Sequence, residues 1–296
     1  MMMIETSMGE QPYLTLNNSV RMPQLGLGLY KIPDGEITYN SVMAALKIGY
    51  RHFDCAHAYH NEGSLGRAIK DSGVPRGDLW ITSKLWINEY GEGKTLASID
   101  RMLGRIGLEY MDMVYFHHAM GDFVKGWAEM EKALESGKVR AIGISNFDID
   151  DKLFDELISS ARIKPQALQL ECHPYAQREH WQERCAKEGI QIEVWSPLGG
   201  RDSEGEVLRD ETINAIAKKR GKSPAQIIIR WHIQKGFSVI PGSSNPANIK
   251  SNFEALDFVL TDEEMEQIHA LNKEKRYFTM PYEDQLKWFR TWNPQD

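Results

Sequence analysis

Eight short runs of β-forming residues alternate with helical segments along most of this 296-residue chain. We predict strands at residues 25–28, 52–54, 79–84, 111–117, 139–145, 167–171, 192–196 and 238–241. We predict helices near residues 38–48, 61–71, 94–106, 122–136, 151–160, 179–188, 209–235 and 245–253, with 209–235 divided in two at Gly221-Lys222-Ser223-Pro224. Strands that alternate with helices pair in parallel through right-handed crossovers. The pattern therefore predicts an α/β fold with a parallel sheet covered by helices.

Two architectures give this alternation, an open doubly wound sheet and a closed (β/α)8 TIM barrel. An open sheet that binds a dinucleotide is expected to carry GxGxxG after its first strand, and residues 26–31, GLGLYK, lack the third glycine. Residues 13–23 predict a β-hairpin around Asn17-Asn18, because Asn tolerates the positive φ of tight turns. We therefore expect a TIM barrel whose bottom is capped by the N-terminal β-hairpin. Residues 1–296 are predicted to form a single domain, with residues 270–296 as a C-terminal tail near the active site.

Composition excludes several classes of protein. The formal charge is -7 and the basic residues are scattered, which argues against a nucleic-acid partner. No stretch reaches the roughly 18 apolar residues needed to span a bilayer, and the N-terminus carries no secretory pattern. Three cysteines, Cys55, Cys172 and Cys185, show no CxxC spacing and suit a reduced compartment. We expect a cytoplasmic protein that has no membrane partner.

Four ionisable residues follow three adjacent predicted strands. Asp54, Lys84 and His117 end their strands, and Tyr59 follows on a loop. Because catalytic groups of TIM barrels sit at the carboxyl ends of strands, we expect these four to share a pocket. Each also has a structural interpretation, such as a cap or an ion pair, but their convergence favours catalysis.

The chemistry that these groups suit is proton transfer to a carbonyl oxygen. A free tyrosine has a pKa of about 10, and we expect the Lys84 ammonium to lower that of Tyr59 while Asp54 holds the lysine charged. His117 would hydrogen-bond and polarise the carbonyl. A cofactor must supply the hydride, because no side chain can.

Residues 49–69, GYRHFDCAHAYHNEGSLGRAI, resemble the first signature of the aldo-keto reductases, particularly the short-loop bacterial members of the 2,5-diketo-gluconate reductase type. Further matches are KLW at residues 84–86, AIGISNF at 141–147, QLECHPY at 169–175 and WSPLG at 195–199. The resemblance implies an NAD(P)H-dependent oxidoreductase that reduces aldehydes or ketones reversibly. It implies the catalytic tetrad Asp54, Tyr59, Lys84 and His117, with Tyr59 as the general acid.

The resemblance also implies a set of cofactor contacts. Ser145, Asn146 and Gln169 would hold the nicotinamide carboxamide. Trp195, where the family commonly has Tyr, would stack on the nicotinamide ring. The other predicted cofactor contacts are Ser196, Leu198 and Gly199 at the pyrophosphate, Asn252 at the adenine, and Gly28, Leu29, Ile240, Gly242, Ser243, Ser244 and Asn248. Gly26 and Gly28 would keep the rim of the barrel open or simply form a turn.

Two of these positions depart from the family pattern in a way that bears on the cofactor. Members that prefer the phosphorylated cofactor usually have Ile-Pro-Lys-Ser and then a second basic residue, whereas this chain has Gly242 and Asn248 at those positions. Each missing cation forfeits a charge-assisted hydrogen bond to the 2′-phosphate, worth about 1.5–3 kcal/mol. We predict NADH use alongside or instead of NADPH, with partial compensation from Lys250 or from the helix N-terminus near Asn245.

The substrate pocket is predicted to include Tyr30, Trp86 and His118, which stands where the family often has Trp. In the tail, Trp288, Phe289 and Trp292 fit either the pocket or barrel packing. We expect no metal at His117-His118, because adjacent strand residues point opposite ways. The only partner expected is a small carbonyl or alcohol substrate, and short-loop members are often monomers. Alternatives are a nucleotide-sensing binding protein on the same barrel, or an isomerase or aldolase that uses Lys84 as a Schiff-base amine.

Overall fold

The computed structural model describes residues 9–295, which contain an N-terminal hairpin, a parallel barrel and an outer layer of helices. The strands are β1 (Tyr13–Thr15), β2 (Arg21–Pro23), β3 (Leu27–Gly28), β4 (His52–Asp54), β5 (Trp80–Leu85), β6 (Met113–Phe116), β7 (Ile142–Ser145), β8 (Ala167–Glu171), β9 (Gln191–Trp195) and β10 (Ser238–Val239). The helices are α1 (Glu36–Ile48), α2 (Glu62–Ser72), α3 (Thr95–Ile106), α4 (Phe123–Glu135), α5 (Asp151–Ser160), α6 (Glu179–Glu188), α7 (Glu211–Arg220), α8 (Pro224–Gln234), α9 (Pro246–Phe253), α10 (Asp262–His269) and α11 (Tyr282–Thr291). Within residues 9–295, no helix combines the length and apolar character needed to cross a membrane.

Strands β3 to β10 pair in parallel in chain order and close on themselves. At the closing edge, the amide of Gly26 donates to the Val239 carbonyl at 2.9 Å and the amide of Val239 donates to the Gln24 carbonyl at 2.8 Å. The predicted (β/α)8 barrel is therefore confirmed and the open-sheet alternative is wrong.

The glycines of the first strand serve this closure. A Cβ atom on Gly28 would lie 2.7 Å from the carbonyl oxygen of Ile240, and one on Gly26 would lie 2.9 Å from the Ile240 side chain. The two residues allow close packing of the first and last strands, and this corrects the expectation that they keep the rim open.

The predicted hairpin is confirmed and packs against the N-terminal end of the barrel. Leu16 and Met22 lie in an apolar cluster with Trp80, Met113 and Ala167, the first residues of β5, β6 and β8. The turn differs from the prediction in one detail.

The residue with positive φ in that turn is Ser19, at 66°, and neither asparagine adopts it. The side chains of Asn17 and Asn18 instead donate to the carbonyls of Pro165 and Arg140. Both asparagines thereby tie the hairpin to the barrel, and this contribution depends on contacts more than 100 residues away in sequence.

The helices follow the prediction with two additions. The 209–235 segment is divided as expected, because Ser223 caps α8 and Pro224 occupies its first turn. Helices α10 and α11 were not predicted, and α11 lies within residues 270–296, which are therefore not a simple tail. Thr261 and Glu264 form a capping box at the start of α10, a signal that the sequence carries in plain form.

We predict that substitution by alanine has opposite effects on stability at two glycines of α2, because only one of them contacts α3 closely. A Cβ atom on Gly66 would lie 1.8 Å from the backbone oxygen of Ile106, whereas one on Gly63 would lie 3.8 Å from that of Arg105. Gly66→Ala should lower the free energy of unfolding by roughly 1–3 kcal/mol or more through overpacking. Gly63→Ala, the matched control, should raise it by about 0.5–1 kcal/mol. Urea denaturation of both variants checks this, and equal effects would contradict the packing argument.

Candidate active site

The four ionisable residues predicted from the sequence lie together at the carboxyl end of the barrel. The Nζ atom of Lys84 donates to Asp54 Oδ1 at 2.5 Å and to the carbonyl of Cys55 at 2.9 Å. The same Nζ lies 5.0 Å from the centroid of the Tyr59 ring. The rings of Tyr59 and His117 meet edge to face, with centroids 5.6 Å apart. Lys84 is 0% exposed and Asp54 is 2% exposed, so the ion pair is shielded from water.

Local structure holds Tyr59 in this position. It ends a short helical turn, His57–Tyr59, which stops because His60 adopts the left-handed conformation at φ 57°. Asn61 follows at once and its side chain donates to the carbonyls of Leu29 and Ile32. The loop that carries the phenol is therefore fastened to the segment that follows β3.

Burial and neighbouring charges set the protonation states of the site. Burial lowers the pKa of Lys84, but the carboxylate of Asp54 and the hydroxyl of Tyr59 outweigh it and hold that pKa above its usual value. Burial, with His118 and Lys84, keeps the pKa of His117 well below 6.5, so its imidazole is neutral. At neutral pH the site holds a charged lysine beside a neutral histidine.

The expected fall in the pKa of Tyr59 is wrong for the free protein. Burial raises the pKa of Tyr59 above 10, and the charge and hydrogen bonding of Lys84 offset only part of that rise. The main reason is the loss of solvent around the phenol, and the charge of Asp54 adds to it. Tyr59 is therefore a protonated phenol, although part of its surface remains exposed.

Behind the tetrad lies a buried carboxylate that the sequence reasoning missed. Glu193 on β9 is 0% exposed, and its Oε1 accepts a hydrogen bond from Gln169 Nε2 at 2.6 Å. Gln169 Nε2 also donates to Asp54 Oδ2 at 2.8 Å. Burial raises the pKa of Glu193. The sequence signal that could have indicated Glu193 is a charged residue between the apolar Ile192 and Val194 of a buried strand.

The residues implied for the nicotinamide carboxamide include a buried acceptor that is left unused. Asn146 Nδ2 donates to the His117 carbonyl at 2.9 Å and to Ser145 Oγ at 3.2 Å. Asn146 Oδ1 is buried and has no hydrogen-bond partner among residues 9–295. A primary carboxamide carries N–H donors that suit such an oxygen, so these residues fit the group that the cofactor would present.

The remaining predicted cofactor residues lie in different environments. The indole of Trp195 is half-buried and meets the ring of Phe278 edge to face at 5.9 Å. Ser196 adopts a left-handed backbone at φ 49°. Leu29 is fully buried in the core, so its side chain faces away from solvent. The others divide by exposure: Ile240, Asn252 and Gly199 are buried, Leu198 and Ser243 are half-buried, and Gly242, Ser244 and Asn248 are exposed.

An aromatic wall stands beside the tetrad. The indole of Trp86 packs against Phe289 and Trp292, with ring centroids 5.1 and 5.0 Å away, and its Nε1 donates to the Trp292 carbonyl at 3.0 Å. The ring of His118 lies 4.5 Å from that of Phe289. Of the aromatic residues in the tail, Trp288 is 69% exposed and takes no part in this wall. The ring of Tyr30 lies 5.1 Å from that of Tyr59.

The arrangement of His117 and His118 corrects the sequence argument about them. The two rings are stacked, with centroids 4.8 Å apart and planes 10° from parallel. Strand β6 ends at Phe116, so the alternation of side chains that was assumed for this pair no longer applies. Both imidazoles therefore line the same side of the site.

A second buried carboxylate fastens the C-terminal segment over the barrel. Glu171, the last residue of β8, accepts from the Tyr277 amide at 2.7 Å and from Arg276 Nε at 2.9 Å. Arg276 also lies 3.6 Å from Asp148. These contacts fix the segment that leads into α11, the helix that carries Phe289. Neither Glu171 nor Arg276 was predicted from the sequence to hold this segment.

Comparison with known proteins shows where this site belongs. Residues 24–273 match the model of the Aldo/keto reductase family. The chain belongs to the aldo/keto reductase family. It is 46% identical to the 9,11-endoperoxide prostaglandin H2 reductase of Trypanosoma cruzi over 264 residues, which are 89% of this chain and 92% of the relative. It is 42% identical to the glyoxal reductase of Bacillus subtilis over 269 residues, 90% of this chain and 95% of the relative.

The solved structure of a Bombyx mori aldo-keto reductase in complex with NADP superposes with a TM-score of 0.84 at 29% identity, covering 92% of this chain and 96% of the other. This aldo/keto reductase is an oxidoreductase, and its chemistry is nicotinamide-dependent reduction of carbonyl groups.

We predict that His118 makes the stability of this aldo/keto reductase depend on pH. Burial lowers the pKa of His118 from 6.5 to about 3. As the pH falls below 6.5, the unfolded chain binds a proton that the folded chain does not, so stability falls. Between pH 7 and pH 5 this residue should cost the protein about 2 kcal/mol of unfolding free energy.

His118→Phe keeps a ring in the stack and should remove that loss. Urea denaturation at pH 7 and at pH 5 gives the unfolding free energy at each pH. Its decrease between the two should be smaller in the variant than in the unaltered chain. The control is His60→Phe, because His60 is exposed in the folded chain. The same drop in the His118 variant and the unaltered chain would contradict the prediction.

Proposed function

We propose that Tyr59 donates the proton when this enzyme reduces an aldehyde or ketone. The observation that carries the proposal is the geometry around Lys84, whose ammonium is held at 2.5 Å by Asp54 and faces the ring of Tyr59. A phenol with a raised pKa is protonated at neutral pH and is therefore ready to act as an acid.

The four residues divide the work of proton delivery. The neutral imidazole of His117 hydrogen-bonds the carbonyl oxygen of the substrate and polarises it. A reduced nicotinamide held by Ser145, Asn146 and Gln169 would supply the hydride for the carbonyl carbon. The Tyr59 hydroxyl gives its proton to the oxygen, and Lys84 stabilises the phenolate that remains. Asp54 keeps Lys84 charged and oriented throughout.

Three polar residues would hold the carboxamide of the cofactor, namely Ser145, Asn146 and Gln169. The unpartnered oxygen of Asn146 supports this proposal. So does the hydrogen bond from Gln169 to Asp54, which connects these residues to the tetrad. Trp195 would stack on the nicotinamide ring. The further contacts proposed are Gly28, Leu29, Ser196, Leu198, Gly199, Ile240, Gly242, Ser243, Ser244, Asn248 and Asn252, with Leu29 contributing through its backbone.

Tyr59→Phe should lower kcat roughly 10²–10⁴-fold, because it removes the acid and keeps the ring. Cofactor binding, measured by quenching of tryptophan fluorescence, should stay within about twofold of the unaltered protein, since Ser145, Asn146 and Gln169 are unchanged. A variant that keeps full activity would refute the role of Tyr59. Cofactor binding without turnover in the unaltered protein, across a panel of carbonyl compounds, would favour the nucleotide-sensing alternative.

We also propose that the enzyme uses NADH. Gly242 and Asn248 are exposed and bring no cation to a 2′-phosphate. Lys250, the expected compensating residue, forms an ion pair with Glu254 one turn away on the helix. Its charge is therefore already partly neutralised, which weakens its attraction for a phosphate.

Asn248→Arg should raise kcat/KM with NADPH by about 10-fold or more and leave that with NADH nearly unchanged. The added guanidinium supplies one charge-assisted hydrogen bond of about 1.5–3 kcal/mol. Asn248→Gln, which lengthens the side chain without a charge, is the control. The proposal of NADH use fails if the unaltered enzyme already prefers NADPH by a hundredfold.

The substrate proposed is a small carbonyl compound, bound beside Tyr30, Trp86 and His118. The aromatic wall favours carbonyl compounds with apolar substituents, and the Nζ atom of Lys31 lies 5.1 Å from the centroid of the Tyr30 ring. Because one relative is named for glyoxal, dicarbonyl compounds belong in the first substrate panel. Single-domain organisation over residues 1–296, a monomeric state, a cytoplasmic location and the absence of nucleic-acid or membrane partners stay predictions.

The Schiff-base alternative requires Lys84 to be a neutral nucleophile. The Asp54 carboxylate instead holds the pKa of Lys84 above its usual value despite burial, and two of its N–H groups are already donated. A charged amine cannot attack a carbonyl carbon. The electrostatics therefore favour the proton-transfer role.

A further inference from the structure

Glu193 is a buried carboxylate for which the proton transfer has no use. It lies in the middle of β9 with 0% exposure. Its Oε2 accepts a hydrogen bond from Ser238 Oγ at 2.9 Å and lies 3.5 Å from His52 Nε2, and its Oε1 faces Gln169. Burying a carboxylate is costly unless its oxygens are well bonded. An apolar residue would fill the same space without that cost, so the placement of Glu193 needs an explanation.

The explanation lies in the amide of Gln169. Its Nε2 lies 2.6 Å from Glu193 Oε1 and 2.8 Å from Asp54 Oδ2. The two ends of a glutamine amide have nearly the same shape, so position alone does not decide which end faces a ligand. Ionised carboxylates accept hydrogen bonds and do not donate them. Glu193 Oε1 and Asp54 Oδ2 lie on one side of the amide and each accepts from the NH2 group, which therefore faces the interior.

The carbonyl oxygen of Gln169 is then the atom left for a ligand. It lies 3.5 Å from Ser145 Oγ, and Asn146 presents its unpartnered Oδ1 from the next residue. The amide nitrogen of Asn146 is likewise occupied, by the His117 carbonyl and Ser145. Gln169 Oε1 and Asn146 Oδ1 are thus the acceptor atoms that the two amides leave for a ligand, and an NH2 group carries the donors that such oxygens accept.

We infer that Glu193 is a positioning residue that orients Gln169, so that the site selects a cofactor ring bearing a primary carboxamide. The inference rests on the proposed binding of a nicotinamide at Gln169. It assigns to Glu193 a role in ligand selection, which a residue that merely fills the barrel would not have.

The test compares two reduced dinucleotides, NADH and its 3-acetylpyridine analogue, in which a methyl replaces the amide nitrogen. Dissociation constants are measured by quenching of tryptophan fluorescence, without substrate. The unaltered protein should bind NADH about tenfold more tightly, because the analogue cannot donate to the two oxygens. Glu193→Met removes the acceptor at similar size and should reduce this preference to about threefold or less.

Two further variants separate orientation from charge. Glu193→Gln keeps an oxygen for Gln169 while its own NH2 group faces the Ser238 hydroxyl, so the preference should stay within about twofold of the original. Ser238→Ala removes a contact to Glu193 that does not involve Gln169, and the preference should stay unchanged. Circular dichroism and thermal melting confirm that each variant is folded.

The outcomes are distinct. An unchanged preference in folded Glu193→Met overturns the inference, as does an equal loss in Glu193→Gln. If Glu193→Met does not fold, equal affinity of the unaltered protein for both dinucleotides would still contradict the acceptor orientation, and a loss of preference in folded Glu193→Gln would still overturn the role of Glu193. If it binds neither dinucleotide, the proposed cofactor site itself is wrong.

Discussion

The ion pair between Lys84 and Asp54 is the interaction on which the site depends. Both groups are shielded from water, so removing either partner would leave a buried charge uncompensated, a loss that typically reaches 3–5 kcal/mol. The same pair fixes the ammonium beside the Tyr59 ring. The same ion pair therefore stabilises the fold and places the ammonium for catalysis. A substitution of Lys84 or Asp54 would affect both.

Closure of the barrel turns that pair into part of a larger network. In the strand order β3 to β10, β4 and β8 lie on opposite sides of the barrel. Gln169 on β8 nevertheless donates to Asp54 on β4 at 2.8 Å, which is possible only across the interior of a closed barrel. The narrow junction of β3 and β10, which needs glycine at position 28, thus bears on the site although it is remote from the reacting atoms.

The sequence predicted the parts of the site that follow from strand periodicity and strand ends. Asp54, Lys84 and His117 could be grouped because the carboxyl ends of parallel strands meet at one edge. The partnership of Gln169 with Glu193, at 2.6 Å, could not be predicted, because it depends on the register between β8 and β9. Reading the C-terminal residues as a tail missed α11, whose position depends on contacts of Glu171 more than 100 residues away.

The raised pKa of Tyr59 contradicts the sequence argument but suits the proposed role. An acid must keep its proton until negative charge develops on the substrate oxygen, and a phenol does so at neutral pH whether its pKa is about 10 or is raised by burial. In the reverse direction the same residue must accept a proton as a phenolate, a state that burial disfavours. The Lys84 ammonium favours that phenolate, and the Asp54 carboxylate offsets part of the effect.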